Sequence, residues 1–277
     1  MPRPPAAPPS TPAILVRGLV KHFGPVKAVD GIDLTVAPGQ CFGLLGRNGA
    51  GKSTTLKMLI GLLPPDAGEA TVNGFDLATQ AQRLRASIGY VPQALSVDGL
   101  LTGRQNLDFF GRLYGLPAAV RRQRVPEVLA MLDLGDAADR AAATYSGGMI
   151  RRLEVGQSIL HTPPVVFLDE PTVGLDPVAR RTLWEHLERL RKRYGMTVLL
   201  TTHYMEEAQL LCDRVAIMHA GKVAAQGSLN DLRRIQRLPK ASLEQLFVNL
   251  AGQEQAAEQE GDLHAVGRTR RNAHRLG

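Results

Sequence analysis

The chain has 277 residues, 44% of them hydrophobic and 21% charged, with a formal charge of +7 at pH 7. That length supports one sizeable domain, alone or with a small subdomain, and the composition excludes wholesale disorder and a membrane-embedded body. No apolar run approaches the roughly 18 residues that a spanning helix needs, so any membrane crossing is expected to fall to another chain. The basic balance suits an anionic partner, whether nucleic acid, lipid surface or phosphate-rich ligand, and does not choose among them.

Residues 1–12 are dense in Pro and Ala and lack the apolar centre of a signal peptide, which predicts a disordered or extended tail and a cytoplasmic chain. Clusters of β-formers at Ile14 to Val16 and Ile32 to Val36, with Pro38-Gly39 beyond, predict an antiparallel strand region. A buried strand at Cys41 to Leu45 comes next, and helical periodicity takes over from Gly51 to Leu62. Arg83 to Val91 reads as a helix end running into a short strand. Arg104 to Tyr145 reads as helices broken near Gly115-Leu116-Pro117, and Gly147 to Leu160 as a further helix. Together these predict a helical subdomain at about 95–160 inserted into an α/β core.

Val165 to Leu168 is an uninterrupted apolar run of the kind found in central parallel strands. Val178 to Arg193 places Leu183, Leu187 and Leu190 on one helical face, and Thr197 to Thr201 is another buried strand. Helix, strand and hairpin follow through Gly221, and a short helix at Ser242 to Leu250 ends a domain spanning 13–250. Residues 251–277 are polar and are expected to form a disordered tail. Cys41 and Cys212 show no metal-type spacing and read as small buried residues rather than as a disulfide.

Gly46-Arg47-Asn48-Gly49-Ala50-Gly51-Lys52-Ser53, followed by Thr54, fits the phosphate-cradling pattern in full and lies between a strand and a helix, as that pattern requires. Its glycines let the backbone approach phosphates, and the N–H groups of the helix start face an anion. Lys52 is expected to hold the β and γ phosphates of a nucleotide and Ser53 to ligate Mg²⁺. Val165 to Leu168 delivers Asp169 and Glu170 to a strand's carboxyl end, where ligands collect in open α/β sheets. Side chains alternate along a strand, so the acids can divide the work: Asp169 for Mg²⁺, Glu170 to accept a proton from water. Ser146-Gly147-Gly148 opens a second helix and predicts a second anion site. One ATP does not need two such sites within a chain, so this one is expected to serve a partner's nucleotide.

On these residues the chain resembles the nucleotide-binding subunits of ABC transporters, from about Ile14 to Leu250. The resemblance extends to Gln93 after a strand, Glu170-Pro171-Thr172, Gly174-Leu175-Asp176 and Thr202-His203, in the family's order. It implies a P-loop ATPase fold with an antiparallel β region and a helical subdomain. ATP and Mg²⁺ are the implied cofactors, and a second copy and a polytopic membrane permease the implied partners. Gln93 is implied to touch Mg²⁺ or the lytic water and relay nucleotide state, Asp176 to organise the dimer interface, His203 to contact the γ phosphate, and Phe23 to stack on adenine. The implied place is the cytoplasmic face of the membrane.

Tyr145 and Met149 depart from the family's commonest signature, which has Leu and Gln there, and Met149 cannot make the polar contacts of Gln. The Tyr-Ser-Gly-Gly-Met form is similar to the exporter branch of daunorubicin-resistance and nodulation-factor ATPases. Leu101 to Leu107 and Ser242 to Phe247 are also similar to segments of that branch. An importer ATPase and a soluble, non-transport ABC ATPase remain alternatives. A nucleic-acid engine fits poorly: no sustained heptads separate Ser53 from Ser146, only one set of motifs is present, and no aromatic-interleaved basic patch is visible.

Overall fold

The structure is a computed structural model and describes residues 11–250; the tail expected at 251–277, and all but the last two residues of that expected at 1–12, lie outside the described residues. Strands β1 (Ile14–Phe23) and β2 (Val26–Val36) form an antiparallel hairpin that is longer than its apolar clusters. The register shifts at three points along it, so the in-out alternation breaks and the middle of each strand loses its β signature. β3 (Cys41–Leu45) leads into helix α1 (Lys52–Leu59). β4 (Ala67–Val72) and the two-residue β5 (Phe75–Asp76) complete a four-stranded antiparallel sheet in the order β2-β1-β4-β5. Neither was foreseen. β4 opens Ala-Gly-Glu with an exposed half, and pairing to β1, rather than propensity, makes it a strand.

Helix α2 (Ala81–Ala86) runs into β6 (Ile88–Val91), after which α3 (Gly103–Leu113) and α4 (Ala118–Met131) pack on each other. The expected helical stretch to Tyr145 stops at Met131; residues 132–140 are mostly turns, Ala141 bridges to Thr102, and a single 3-10 turn follows at Ala142–Thr144. Helix α5 (Gly147–Ile159) precedes β7 (Val165–Asp169), α6 (Pro177–Tyr194), β8 (Thr197–Thr202) and α7 (Met205–Leu211). A hairpin of β9 (Arg214–His219) and β10 (Lys222–Gly227) and a short α8 (Leu229–Ile235) follow, and residues 243–250 are helical. α8 was not foreseen either; a reciprocal Ser228–Asp231 capping box fixes its start.

The second sheet has the order β10-β9-β3-β8-β7-β6, parallel from β9 through β6. Every residue of β3, β7 and β8 is buried, because both faces are covered. Phe42, Leu44, Val165, Phe167 and Leu199 point to the face shared with α1 and the antiparallel sheet. Cys41, Val166, Leu168, Val198 and Leu200 point to the other, against α5 and α6. Burying each large aliphatic side chain contributes roughly 1.5–3 kcal/mol, so alternate residues of one strand weld two layers. The fold also brings Cys41 and Cys212 together: their sulfurs are 4.0 Å apart and both thiols are free.

Candidate functional site

The parallel strands all end at one edge of the sheet, and register decides what meets there. Leu45 pairs with Thr202, Asp169 with Thr201, and Val91 with Leu168, so the segments that follow β3, β6, β7 and β8 emerge side by side. Residues 46–51 wrap between β3 and α1. A Cβ on Gly51, whose φ is 101°, would collide with the Ala28 carbonyl oxygen, and one on Gly46 would lie 2.6 Å from the Met218 carbonyl oxygen. Close backbone approach thus requires glycine at both positions.

An open cleft of about 610 Å³ lies over this loop, lined by Asn48, Gly49, Ala50, Gly51, Lys52, Ser53 and Thr54 together with Gln93 and Glu170. Its far wall is Phe23, Val26, Lys27, Ala28 and Ala220. Phe23 ends β1 and is half exposed, held out by the Gly24-Pro25 turn. Val26, Lys27, Ala28 and Ala220 were missed by sequence reasoning. No motif marks them; the Gly221 amide, donating to the Ala50 carbonyl at 3.2 Å, and the Asp30 amide, donating to the Gly221 carbonyl at 2.8 Å, bring hairpin and loop together.

Lys52 is 4% exposed and its Nζ donates to the carbonyl oxygens of Gly46 at 2.9 Å and Arg47 at 3.3 Å. The same Nζ lies 3.3 Å from Glu170 Oε1. Ser53 Oγ and Thr201 Oγ1 both donate to Asp169 Oδ1, at 3.0 and 2.6 Å. Tyr90 sits nearby, its hydroxyl pushed up to about 12 by burial and further by the Asp169 charge. Glu170 adopts a left-handed backbone with φ 47°, pinned by its amide donating to Thr201 Oγ1 at 2.9 Å. Non-glycine residues rarely hold that conformation, and the Glu170 carboxylate meets Lys52 and His203 where the Asp169 carboxylate meets Ser53 and Thr201. Glu170 Oε2 is 3.2 Å from His203 Nδ1, and the His203 ring rests on Tyr204 with centroids 4.2 Å apart.

The site therefore presents a lysine and backbone N–H groups to an anion, with hydroxyl and carboxylate oxygens beside them. No cluster of three or more His, Cys, Asp or Glu suited to a metal occurs among the described residues. The oxygens of Ser53 and Asp169 fit Mg²⁺, which takes few protein ligands and fills its shell with phosphate and water oxygens.

Ser146, Gly147, Gly148 and Asp176 do not reach this cleft; the sequence-predicted residues form two groups. Ser146 caps α5, its Oγ accepting from the Met149 amide at 3.3 Å, and Asp176 caps α6, accepting from the amides of Val178 and Ala179 at 2.9 Å. The two caps are neighbours, for a Cβ on Gly148 would lie 2.9 Å from Ala179 Cβ and one on Gly147 3.8 Å from Leu175 Cδ2. Ser146, Gly147 and Asp176 are exposed. The departures at either end of the signature point inward: the Tyr145 hydroxyl donates to the Ala137 carbonyl at 2.6 Å, and Met149 packs against the core.

The family model described as ABC transporter matches residues 29–173. Nod factor export ATP-binding protein I of Ralstonia nicotianae is 48% identical over 223 residues, 80% of this chain and 69% of that protein. Daunorubicin/doxorubicin resistance ATP-binding protein DrrA of Streptomyces peucetius is 48% identical over 223 residues, 80% of this chain and 67% of that one. A solved ATP binding subunit of an ABC transporter superposes with a TM-score of 0.78 at 33% identity, over 86% of this chain and 99% of that one. A phosphate-loop cleft on an α/β sheet, in a chain so related, has one reading: this chain belongs to the ABC transporter family and is an ATP-binding ATPase subunit, similar to those of its exporter branch.

Proposed function

We propose that this chain powers an exporter from the cytoplasmic face of the membrane, as one of two copies that close over two ATP molecules and drive a separate polytopic permease. The observation that carries the reading is the separation of the two groups. The cleft gathers Phe23, Lys52, Ser53, Gln93 and Glu170, while Ser146, Gly147 and Asp176 lie exposed together elsewhere on the same chain. The N-terminus of α5, with its first-turn amides and the Ser146 hydroxyl on an exposed face, is suited to a second copy's γ phosphate. Among the described residues no helix is long and apolar enough to cross a membrane, which supports a peripheral place.

Within each shared site Phe23 stacks on adenine, residues 46–54 wrap the phosphates, and Lys52 leaves the Gly46 and Arg47 carbonyls to hold the β and γ phosphates. Ser53 and Asp169, with Gln93 beside them, hold Mg²⁺, which when bound neutralises charge on the phosphates. Glu170 accepts the proton of the attacking water, and His203, within 3.2 Å of Glu170, contacts the γ phosphate and orients the carboxylate. Gln93 relays the nucleotide state to a helical subdomain at about 95–160, which carries α3, α4 and α5 within the 13–250 domain, and so to the permease. Relatives named for Nod factor export and daunorubicin resistance support export over import.

The test is Ser146→Arg. The long, cationic arginine side chain fills the space in front of the α5 N-terminus, so ATP-dependent dimerisation and hydrolysis are lost while the monomer still binds ATP. A monomer that no longer binds ATP would place Ser146 in its own chain's site and refute the assignment.

A further inference from the structure

Arg151 and Glu154, three residues apart in α5, form an ion pair with side chains 3% and 1% exposed, the guanidinium Nη1 donating to Glu154 Oε2 at 2.9 Å. Such a pair is a poor way to hold a helix together. Spaced i to i+3 on a surface it adds only a few tenths of a kcal/mol, whereas withdrawing both charges from water costs far more. Its partners give it another use. Nη1 also donates to the Pro92 carbonyl at 2.7 Å, and Nη2 to the carbonyls of Gln93 at 3.3 Å and Glu170 at 3.4 Å. Glu154 turns its other oxygen to the same loop, accepting from the Ser96 amide at 2.6 Å and the Ser96 hydroxyl at 3.1 Å.

One guanidinium thus holds the main chain of the two cleft residues, Gln93 and Glu170, that come from different strands. A planar fork with fixed donor directions can span two chain segments; an ammonium, a point charge on a flexible stem, cannot hold both in register. The helix carrying the pair begins at Gly147, directly after Ser146. We infer that Arg151 and Glu154 are positioning residues for hydrolysis. They hold Gln93 and Glu170 in register with the Ser146-Gly147-Gly148 end of α5, so that a displacement of segment 92–96 is felt at Glu170 and at the signature face together. The inference rests on the roles of Gln93 and Glu170 proposed above.

Two variants of the full chain test it, with ATP and Mg²⁺ as the probe. Arg151→Lys keeps a cation beside Glu154 but loses the second arm of the fork. The double variant Arg151→Met with Glu154→Leu removes both charges together and leaves neither unpaired, a replacement that commonly preserves stability. Both are expected to bind ATP within about twofold of wild type and to keep KM, with kcat lower by on the order of 10 to 100-fold, the loss typical of misplaced catalytic groups. A pair that is merely structural gives other results, each of which overturns the inference. One is a folded variant hydrolysing within about twofold of wild type; the other is a variant that loses ATP affinity along with kcat. Should Arg151→Lys fail to fold, the double variant decides. Glu170→Gln, assayed in parallel, separates the two readings. If it hydrolyses normally, the Glu170 assignment falls; if it is inactive while the Arg151 variants are normal, only the present inference falls.

Discussion

Replacing Glu170 with Gln keeps the shape of the side chain but removes both its proton affinity and its charge, and the two losses are measured separately. General-base catalysis contributes about 10² to 10⁴ in rate, so phosphate release should fall by that factor, or roughly 2.7–5.5 kcal/mol in the barrier. The charge matters because Glu170 Oε1 lies 3.3 Å from Lys52 Nζ in a buried setting. At an effective dielectric of about 20 that attraction is about 5 kcal/mol before desolvation is subtracted. Removing one member of a buried pair costs about 3–5 kcal/mol. The carbonyls of Gly46 and Arg47 still accept from Lys52, which points to the lower end. For a domain of this size about 3 kcal/mol corresponds to a Tm lower by about 6–12 °C without nucleotide. ATP brings its own anionic oxygens to Lys52, so the deficit should vanish at saturating ATP, and the inactive protein should accumulate as a closed dimer in size-exclusion chromatography. Scanning fluorimetry with and without ATP and Mg²⁺ reads the Tm deficit and its disappearance, and a phosphate-release assay reads the rate. Hydrolysis at the wild-type rate would refute Glu170 as the base. A Tm deficit that persists at saturating ATP would refute Lys52 as the phosphate ligand.

Lys52→Ala should behave differently, losing ATP affinity and hydrolysis together; an unchanged Kd by titration calorimetry would remove Lys52 from the phosphate site. Tyr145→Phe deletes the hydroxyl that donates to the Ala137 carbonyl, but that carbonyl also accepts from the Arg140 amide, so the expected cost is only about 1 kcal/mol in urea unfolding, with ATP affinity unchanged. A cost above about 3 kcal/mol would show that more than one hydrogen bond depends on the ring. Burial pushes the His161 imidazole down to about 4, against the opposing contact with the Ile88 carbonyl. The folded state therefore binds fewer protons than the unfolded chain: this contribution is complete above pH about 6.5 and is lost as pH falls towards 4. His161→Phe should flatten the fall of the urea midpoint between pH 7 and pH 5, and an unchanged slope would exclude His161 as its source.

Sequence alone carried the parts of this protein whose signal is local. A strand covered on both faces must be apolar at every position, so β3, β7 and β8 announce themselves as continuous runs. The phosphate-loop pattern is legible because its glycine, lysine and hydroxyl positions fall in one short segment, which stays together along the cleft in the folded chain. Asp169 and Glu170 are legible for the same reason, as adjacent residues at a strand end. Signals failed where a neighbour, not the segment, sets the conformation. β4 is a strand because β1 pairs with it, and β1 and β2 outrun their apolar clusters because register shifts break the alternation. What only the tertiary structure decided are relations between distant residues. The Phe23 side of the cleft depends on Gly221 tying hairpin to loop, and the two caps at Ser146 and Asp176 become one exposed face because α5 and α6 start side by side. Arg151 reaches Pro92, Gln93 and Glu170 across 59, 58 and 19 positions of sequence. Periodicity marks which face of a helix is buried; what a buried charge will bind depends on which carbonyls the packed fold leaves within 3 to 4 Å of it, and no pattern in the chain records that.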